Sequence, residues 1–346
     1  MRIQLLMAAT ILIAPAAAVA QDDIPRTASG RPDLSGTYDI ATRTPMMRDP
    51  KYGDDPYMSA EDAHGIAAAT EAGRAQADIP SDPDRKAPPV GGDGHRSNIG
   101  GHNPFWFDFG TIPFQIDGKY RNSIITDPPD GRLPPKTDRG RALTPRGLGA
   151  YNRNPGGAWW IETGEDLYDE PEVQTLGTRC LYTGGPTVPV RPSAYNNLKT
   201  ITQTDTHVAI HVEWMHWTRI VRLDSEHAPQ EYRSFGGDSV GWWEDDTLVV
   251  ETTNFLRAPH VPHEGLRVVE RFRRIDADTL FYEFTVEDSD YTAPYTGSLP
   301  WPRTDKRLYE YACHEGNYSM GNMLRGARLL EKEAREEPRA PRSIVD

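Results

Sequence analysis

The sequence lacks the motifs that identify the commonest enzyme classes. It contains no G-x-S-x-G, no P-loop, no G-x-G-x-x-G after a predicted strand and no H-E-x-x-H. These absences argue against an α/β-hydrolase, a nucleotide-binding enzyme and a zincin. Clusters of basic residues are also missing, and the formal net charge is -13. An acidic chain without basic clusters argues against nucleic acid and anionic lipid as partners.

Long apolar runs are absent beyond the N-terminus, where residues 1–20 show the three zones of a signal peptide. Arg2 supplies the positive charge, residues 5–14 form the apolar stretch, and Ala-Val-Ala at 18–20 is a small-x-small cleavage site. The apolar stretch is short for a membrane-spanning helix, although a retained anchor is the alternative. We therefore predict an exported protein, periplasmic or secreted, whose mature chain begins at residue 21 and does not enter the membrane.

Cysteine is scarce, since the 346-residue chain has only Cys180 and Cys313. Neither belongs to a C-x-x-C pair, so a cysteine-based zinc site is not expected. In an exported protein an isolated pair is more often bridged than free. The sequence thus predicts a disulfide between these two residues, with two buried thiols as the alternative.

The pattern of β-prone runs predicts a mainly β protein. After residue 180 such runs recur every 8–14 residues with turn residues between them, which is typical of an antiparallel meander that closes into a barrel or sandwich. We expect one domain over 21–346, in which 21–150 form long irregular segments that wrap around the barrel and 180–318 form the meander. Helices are predicted at 59–76 and 320–336. The predicted strands are Leu198–Gln203, His207–Trp214, Trp217–Leu223, Ser239–Trp243, Thr247–Thr253, Leu266–Ile275, Leu280–Val286 and Arg307–Tyr311.

Four stretches carry a resemblance to a large family of exported bacterial proteins with no settled activity. They are Asp127-Pro-Pro-Asp-Gly-Arg, Gly237-Asp-Ser-Val-Gly-Trp-Trp-Glu, Asp246-Thr-Leu-Val-Val-Glu-Thr-Thr-Asn-Phe and Tyr309-Glu-Tyr-Ala-Cys-His-Glu-Gly-Asn-Tyr. The likeness covers about residues 98–330. It implies export but no particular reaction.

A shorter stretch, Leu34-Ser-Gly-Thr-Tyr38, resembles the opening strand of lipocalin-like barrels. That resemblance implies a barrel with a cavity for one ligand. Barrels of this kind include cofactor-free phenolic acid decarboxylases as well as transport proteins, so the resemblance alone does not fix the function.

The densest group of polar side chains is His207-x3-His211-x-Glu213-x2-His216-x2-Arg219. In one interpretation Glu213, His216 and Arg219 line a pocket, where a carboxylate and an imidazole exchange protons and the guanidinium grips an anion. In a second, His207 and His211 bind a metal with Glu213 or His216, although two histidines at i and i+4 of a strand lie about 13 Å apart. In a third, the two histidines lie on a solvated face without a function.

A second group follows the second cysteine, at Cys313-His314-Glu315. A disulfide at Cys313 would fix the backbone of His314, which suits a catalytic acid. The alternative is that His314 and Glu315 simply end the last strand. A Cys–His nucleophile pair is not expected, because neighbouring side chains of a strand point to opposite faces and an oxidised cysteine is inert.

These observations lead to the hypothesis of an exported, cofactor-independent lyase of the decarboxylase type that acts on a small aromatic or phenylpropanoid acid. Arg219 would orient the carboxylate, Glu213 would take a phenolic proton, and His216 or His314 would protonate the carbon. A periplasmic binding protein for an apolar or aromatic ligand and a metal-dependent hydrolase are the alternatives, and a homodimer is left open. The predicted substrate-binding residues are Trp214, Tyr311, Trp106 and Asn197.

Overall fold

The computed structural model describes residues 24–80, 84, 107–142, 157–164, 166–185, 187–258 and 261–336. The predicted signal peptide and the predicted substrate-binding Trp106 lie outside these ranges. Within them the chain is mainly β, with a curled ten-stranded sheet that forms a half-barrel and a helix at the C-terminal end.

The strands are β1 (Gly36–Asp39), β2 (Tyr57–Met58), β3 (Gln115–Ile116), β4 (Lys119–Arg121), β5 (Ile125–Asp127), β6 (Leu198–Gln203), β7 (His207–Val212), β8 (Trp217–Leu223), β9 (Asp238–Glu244), β10 (Thr247–Thr253), β11 (Leu256–Ala258), β12 (Val261–Pro262), β13 (Arg267–Arg274), β14 (Thr279–Glu287) and β15 (Tyr295–Pro302). The helices are α1 (Ala60–Ala77), α2 (Asp138–Ala142), α3 (Trp159–Thr163) and α4 (Tyr318–Glu336).

The ten-stranded sheet has the order β1-β6-β7-β8-β9-β10-β13-β14-β15-β5. Its neighbours pair antiparallel, as the meander predicts, with one exception: β8 and β9 run parallel, with Val221 opposite Ser239. The prediction of a wholly antiparallel sheet is therefore wrong at this point. The physical reason is the connection over 224–237, which is long enough to cross the end of the sheet and return in the same direction.

The expected closed barrel is also corrected, because the sheet curls without joining its edges along a full ladder. The two edge strands are β1 and β5, and both precede the other eight strands of this sheet in the chain. β1 approaches the far side where Tyr38 forms a bridge with Arg303. There the Thr304 N–H also donates to the Thr37 carbonyl, at 2.9 Å. β1 and the end of β15 therefore meet at one point, and the sheet remains a half-barrel.

The deep interior of the half-barrel is packed with aromatic side chains. Along β13 and β14 alternate residues are buried, so that one face of each strand points inward. The largest inward side chains show no more than 1% exposure, which leaves no water-sized void beside them. They are Tyr38, Phe272, Tyr282, Phe284 and Trp301. The one-ligand cavity implied by the resemblance to lipocalin-like barrels is thus not found in this part of the interior.

The helices begin with local signals in the sequence. The Ser59 hydroxyl accepts the Asp62 N–H at 3.0 Å and so caps α1. The Asn317 side-chain oxygen accepts the Met320 N–H near the start of α4, and its amide donates to the Thr178 carbonyl at 2.8 Å. This second contact ties α4 to the segment that precedes the first cysteine.

The predicted disulfide is present between Cys180 and Cys313, whose Cα atoms are 5.7 Å apart. It joins the segment before β6 to the segment before α4. The predicted strand at Arg307–Tyr311 is wrong, because the chain leaves the sheet after the bridge at Arg303 and residues 305–317 form no strand. None of the helices in the described ranges combines the length and apolar character needed to cross a membrane.

Candidate functional site

A buried lysine marks one end of the half-barrel, where β6 begins and β7 ends. Lys199 is the second residue of β6 and lies opposite Tyr38 on β1 and Val212 on β7. Because it shares the face of Ile201, it points inward, and none of its surface is exposed. Its ammonium nitrogen donates to the carbonyl of Asn196 at 2.9 Å.

The charge state of Lys199 is shifted by this burial. Desolvation lowers the pKa of Lys199 to about 7, against the opposing influence of the Glu213 and Asp39 carboxylates. None of the ion pairs formed within the described chain includes Lys199. An amine that is desolvated and lacks a salt-bridge partner titrates near neutral pH, which is the range in which enzymes use lysine as an acid, a base or a nucleophile.

Glu213 lies beside this lysine and is also buried, with 7% of its surface exposed. Its N–H donates to the Leu198 carbonyl at 3.3 Å, which extends the β6–β7 pairing by one step. The next residues form the tight turn into β8, in which Met215 and His216 both have φ near +55°. Two successive non-glycine residues in this conformation are strained, and such strain is concentrated at functional sites.

Three aromatic rings stack at the turn that follows Glu213. Trp214, which follows Glu213, stacks on Tyr195 with ring centroids 4.5 Å apart and on Tyr311 at 5.9 Å. Burial, together with the hydrogen-bonded neighbour Tyr195, raises the pKa of Tyr311 to about 12. The rings are all partly exposed. We call Tyr195, Lys199, Glu213, Trp214 and Tyr311 the mouth cluster.

Surrounding loops hold the mouth cluster in place. The Asn197 side chain is fully buried and accepts the Ser193 N–H at 2.8 Å, while its amide donates to the carbonyls of Ser193 and Asp108. Asn197 therefore fixes two loops to each other.

A second cation, Lys306, reaches this end of the sheet and donates to the Asp39 carboxylate at 2.6 Å.

Lys306 keeps its charge at neutral pH. Its hydrogen bond to Asp39 chiefly raises its pKa, and the charges of Asp108 and Glu213 add to this effect. Its side chain is 58% exposed. The site therefore combines an exposed lysine, paired with Asp39, with a buried lysine and a buried carboxylate.

Arg219 does not take part in this cluster. It lies further along β8, opposite Ile210, and its guanidinium makes a two-pronged ion pair with Glu270 of β13. Glu270 also accepts the Tyr282 hydroxyl at 2.6 Å, and Thr252 accepts from the guanidinium at 3.2 Å. A guanidinium already bound to a carboxylate deep in the sheet is not available to grip a substrate anion.

The predicted catalytic histidines lie at the surface. His216 is exposed, and its ring contacts that of His211 at 5.2 Å on the outer side of the sheet. His314 is exposed in the turn that follows the disulfide. The structure thus does not bring Glu213, His216, Arg219 and His314 together, because two of the four are buried and two face outward.

The one group of potential metal ligands found among the described residues lies elsewhere, at His263, Asp288 and Asp290. Their ligand atoms are within 4.8 Å of one another. Asp290, however, accepts a hydrogen bond from Arg257 at 2.8 Å, and Arg139 lies 3.7 Å from its other oxygen. Two guanidinium groups already balance this carboxylate, so the arrangement suits an ion-pair network better than a divalent cation.

Sequence reasoning identified Glu213, Trp214 and Tyr311 but missed Tyr195 and Lys199. An isolated lysine in a strand is normally exposed. The available signal was its position two residues before Ile201, since residues at i and i+2 of a strand share a face. No model of a known protein family matches the chain, and no curated protein is significantly similar to it.

Proposed function

We propose that the protein is an exported, cofactor-independent lyase of the decarboxylase type, which acts on a small aromatic acid at the mouth cluster. The observation that supports this proposal is the pair of buried titratable groups, Lys199 and Glu213, behind the stack of Tyr195, Trp214 and Tyr311. Buried acid and base groups beside aromatic walls are characteristic of sites that bind flat ligands and move protons.

Each part of the cluster has a role in this reaction. The substrate ring packs against Trp214 and Tyr311, and the exposed charge of Lys306 attracts the carboxylate. Loss of CO2 breaks a carbon–carbon bond and leaves the electron pair on the neighbouring carbon, which must then take up a proton. We assign the exchange of that proton to Glu213, which keeps a little exposed surface, with the fully buried Lys199 as its neighbour.

This assignment changes two roles that the sequence predicted. Arg219 is buried and committed to Glu270, so the attraction of the carboxylate passes to Lys306, whose ammonium is exposed and has N–H groups beyond the one bound to Asp39. The proton donor becomes a member of the Glu213–Lys199 pair in place of an exposed histidine. The proposal of a lipocalin-like relationship stands beside this one, supported by the curled half-barrel and by the position of the cluster at one end.

Export is part of the same proposal. A disulfide persists in oxidising compartments and is rare in the bacterial cytosol, and Cys180 and Cys313 are joined. Expression of the full chain and N-terminal sequencing of the periplasmic fraction test it. A mature protein beginning at residue 21 supports export, and a full-length protein confined to the cytosol contradicts it.

The test of the activity uses the oxidised mature protein and a panel of hydroxybenzoic, hydroxycinnamic and aryl oxo acids. Release of CO2 and the product mass are followed. We expect at least one acid to be turned over, and Glu213→Gln to lower the rate by at least about a hundredfold. Glu315→Gln is the matched control, because Glu315 is exposed and outside the cluster. Failure of every acid, or an unchanged rate in the Glu213 variant, would overturn the proposal.

A binding protein for a flat apolar ligand is the second candidate. The half-exposed stack of Tyr195, Trp214 and Tyr311 favours it, because aromatic faces bind aromatic ligands without any chemistry. It predicts quenching of tryptophan fluorescence by the acids, reduced in Trp214→Leu, with each ligand recovered unchanged after long incubation.

A further inference from the structure

We propose that the small three-stranded sheet carries an anion site, in which Arg121, Lys119 and the Tyr57 hydroxyl bind a phosphate group. This sheet has the order β2-β4-β3 and contributes no residue to the mouth cluster. The inference goes beyond the proposed function, and neither depends on the other.

The three side chains lie on one face of this sheet. Lys119 and Arg121 are two residues apart on β4, so their side chains share a face. Tyr57 on β2 is the direct partner of Arg121, and directly paired residues of neighbouring strands also share a face. The centre of the Tyr57 ring is 5.1 Å from the Lys119 ammonium nitrogen and 5.5 Å from the central carbon of the Arg121 guanidinium. Two positive charges therefore lie against one ring.

Arg121 is buried without an acceptor for its hydrogen bonds. Only 9% of the residue is exposed, and its Nε atom is enclosed and has no hydrogen-bond partner. Its terminal nitrogens are not enclosed, and no carboxylate or carbonyl group of the described residues accepts a hydrogen bond from them. The Tyr57 hydroxyl lies beside the guanidinium. Lys119 is exposed and Tyr57 is partly exposed, so this face of the sheet opens to solvent.

The other three buried guanidinium groups of the described chain all have acceptors. Arg48 donates to a side-chain amide oxygen and to two backbone carbonyls. Arg274 donates to two backbone carbonyls and to a tyrosine hydroxyl. Arg219 is paired with Glu270. Because a cation removed from water without such partners is costly, the open positions of Arg121 indicate a ligand from outside the chain.

The electrostatic surroundings of Arg121 also favour an anion. Many basic side chains of this acidic chain pair with carboxylates, as Arg222 does with Asp238. Arg48, Lys119 and Arg121 form no such pair within the described residues. Burial lowers the pKa of Arg121 against the influence of its tyrosine neighbour, and the nearby charge of Arg48 adds to this effect. A bound anion would offset both unfavourable contributions.

The set of donors indicates the class of anion. A guanidinium binds two oxygens of a phosphate or a carboxylate through its planar fork, while an ammonium acts as a point charge. A phosphate group has further oxygens for Lys119 and for the Tyr57 hydroxyl, whereas both oxygens of a carboxylate are engaged by the fork. Its charge at neutral pH, about -1.5 to -2, is also larger. The site therefore takes phosphate, as the free ion or as a monoester.

Isothermal titration calorimetry of the oxidised mature protein with inorganic phosphate tests this assignment. Sodium chloride holds the ionic strength constant at neutral pH. We expect one saturable site for each chain. Acetate is expected to bind at least about tenfold more weakly, because it carries less charge and fewer oxygens. Phenyl phosphate distinguishes the source of the group: tighter binding than inorganic phosphate identifies a monoester, and weaker binding identifies the free ion.

Three variants test the residues of the site. Arg121→Lys, which keeps the charge and loses the fork, is expected to weaken phosphate binding at least about tenfold. Lys119→Met is expected to weaken it by about two- to fivefold, because the charge it removes is exposed. Tyr57→Phe keeps the ring against both cations and removes only the hydroxyl, and it is expected to weaken binding by about fivefold.

Arg273→Met is the matched control, because Arg273 is exposed, lies over the ring of Phe281 and forms no ion pair in the described chain. It should bind phosphate as the wild type does. Circular dichroism shows which variants are folded, and if Arg121→Lys is not, the variants at Lys119 and Tyr57 decide. Three results each overturn the inference: absence of saturable binding at millimolar phosphate, equal affinity for acetate and phosphate, or unchanged affinity in the folded variants of the site.

Discussion

Replacing Glu270 by Gln is expected to cost about 3–5 kcal/mol of stability, because it leaves a buried guanidinium without a counter-charge. The side chains of Arg219 and Glu270 are 4% and 0% exposed. Glu270 accepts hydrogen bonds from both terminal nitrogens of Arg219 and from the Tyr282 hydroxyl. Water therefore cannot replace the lost partner, and the desolvation cost of the remaining charge is felt almost in full.

The double variant Arg219→Met/Glu270→Gln gives a different expectation. It removes both charges, and the new amide oxygen can still accept the Tyr282 hydroxyl. One side-chain amide is left poorly paired, which costs about 1–3 kcal/mol. The double variant is thus expected to be more stable than either single variant, and the two substitutions should couple strongly in a double-mutant cycle.

Urea unfolding of the four oxidised proteins at 25 °C, followed by tryptophan fluorescence, measures this cycle. Single variants that lose less than about 1 kcal/mol, or a double variant that loses the sum of the two, would refute the picture of a dry, fully compensated pair. The same double variant also tests the role of Arg219: if the pair is structural, the variant keeps its activity towards aromatic acids.

Two further predictions follow from the chain's other constrained groups. Reduction of the Cys180–Cys313 disulfide, which spans 133 residues, should lower the unfolding free energy by up to about 5 kcal/mol, as urea unfolding with and without reductant will show. Lys199 has a folded pKa of about 7, below that of the unfolded chain, so its proton is lost on folding between pH 7 and 10. The wild type should therefore gain stability relative to Lys199→Met as the pH rises through this window, and a constant difference would contradict the buried amine.

Much of the sheet was predictable because alternation is decisive wherever one face of a strand is buried. β10 (Thr247–Thr253) coincides with its prediction, since turn residues flank its run of apolar and β-branched residues. The direction of β9 was not predictable in the same way. It depends on the path of the segment over 224–237, and a linker of that length allows either direction.

β15 was missed because its sequence, Tyr-Thr-Gly-Ser-Leu-Pro-Trp-Pro, contains two prolines. Proline is excluded from central strands because it cannot donate to the ladder. Here the Ser298 N–H donates towards Ile124, just before β5. Pro300 and Pro302 have the same orientation but lie beyond the short stretch that β5 covers. Their missing N–H groups thus face the open edge of the half-barrel, where no partner needs them.

The candidate site was predictable only in part, because some of its side-chain contacts join residues that are far apart in the sequence. Glu213 and Trp214 are adjacent in sequence, so their shared location needed no knowledge of the fold. The partner of Arg219, by contrast, is 51 residues away, and the two meet because their side chains point into the same half-barrel. Spacing along the chain shows which face a charge takes but not which charge it meets across the interior.

Two of the inward-facing cations, Arg219 and Lys199, show how structure and function divide the interior of this half-barrel. A paired guanidinium such as Arg219 adds little net stability. Both of its terminal nitrogens nevertheless have hydrogen-bond acceptors, and only its Nε atom lacks one. The Lys199 ammonium has one hydrogen-bond acceptor and no ion-pair partner in the described chain. An apolar side chain of similar length would stabilise the fold at least as well. Local conflicts of this kind are expected where chemistry rather than folding decides the residue. The strain at Met215 and His216 is a second conflict, in the turn that directly follows Glu213, the one buried carboxylate of the mouth cluster.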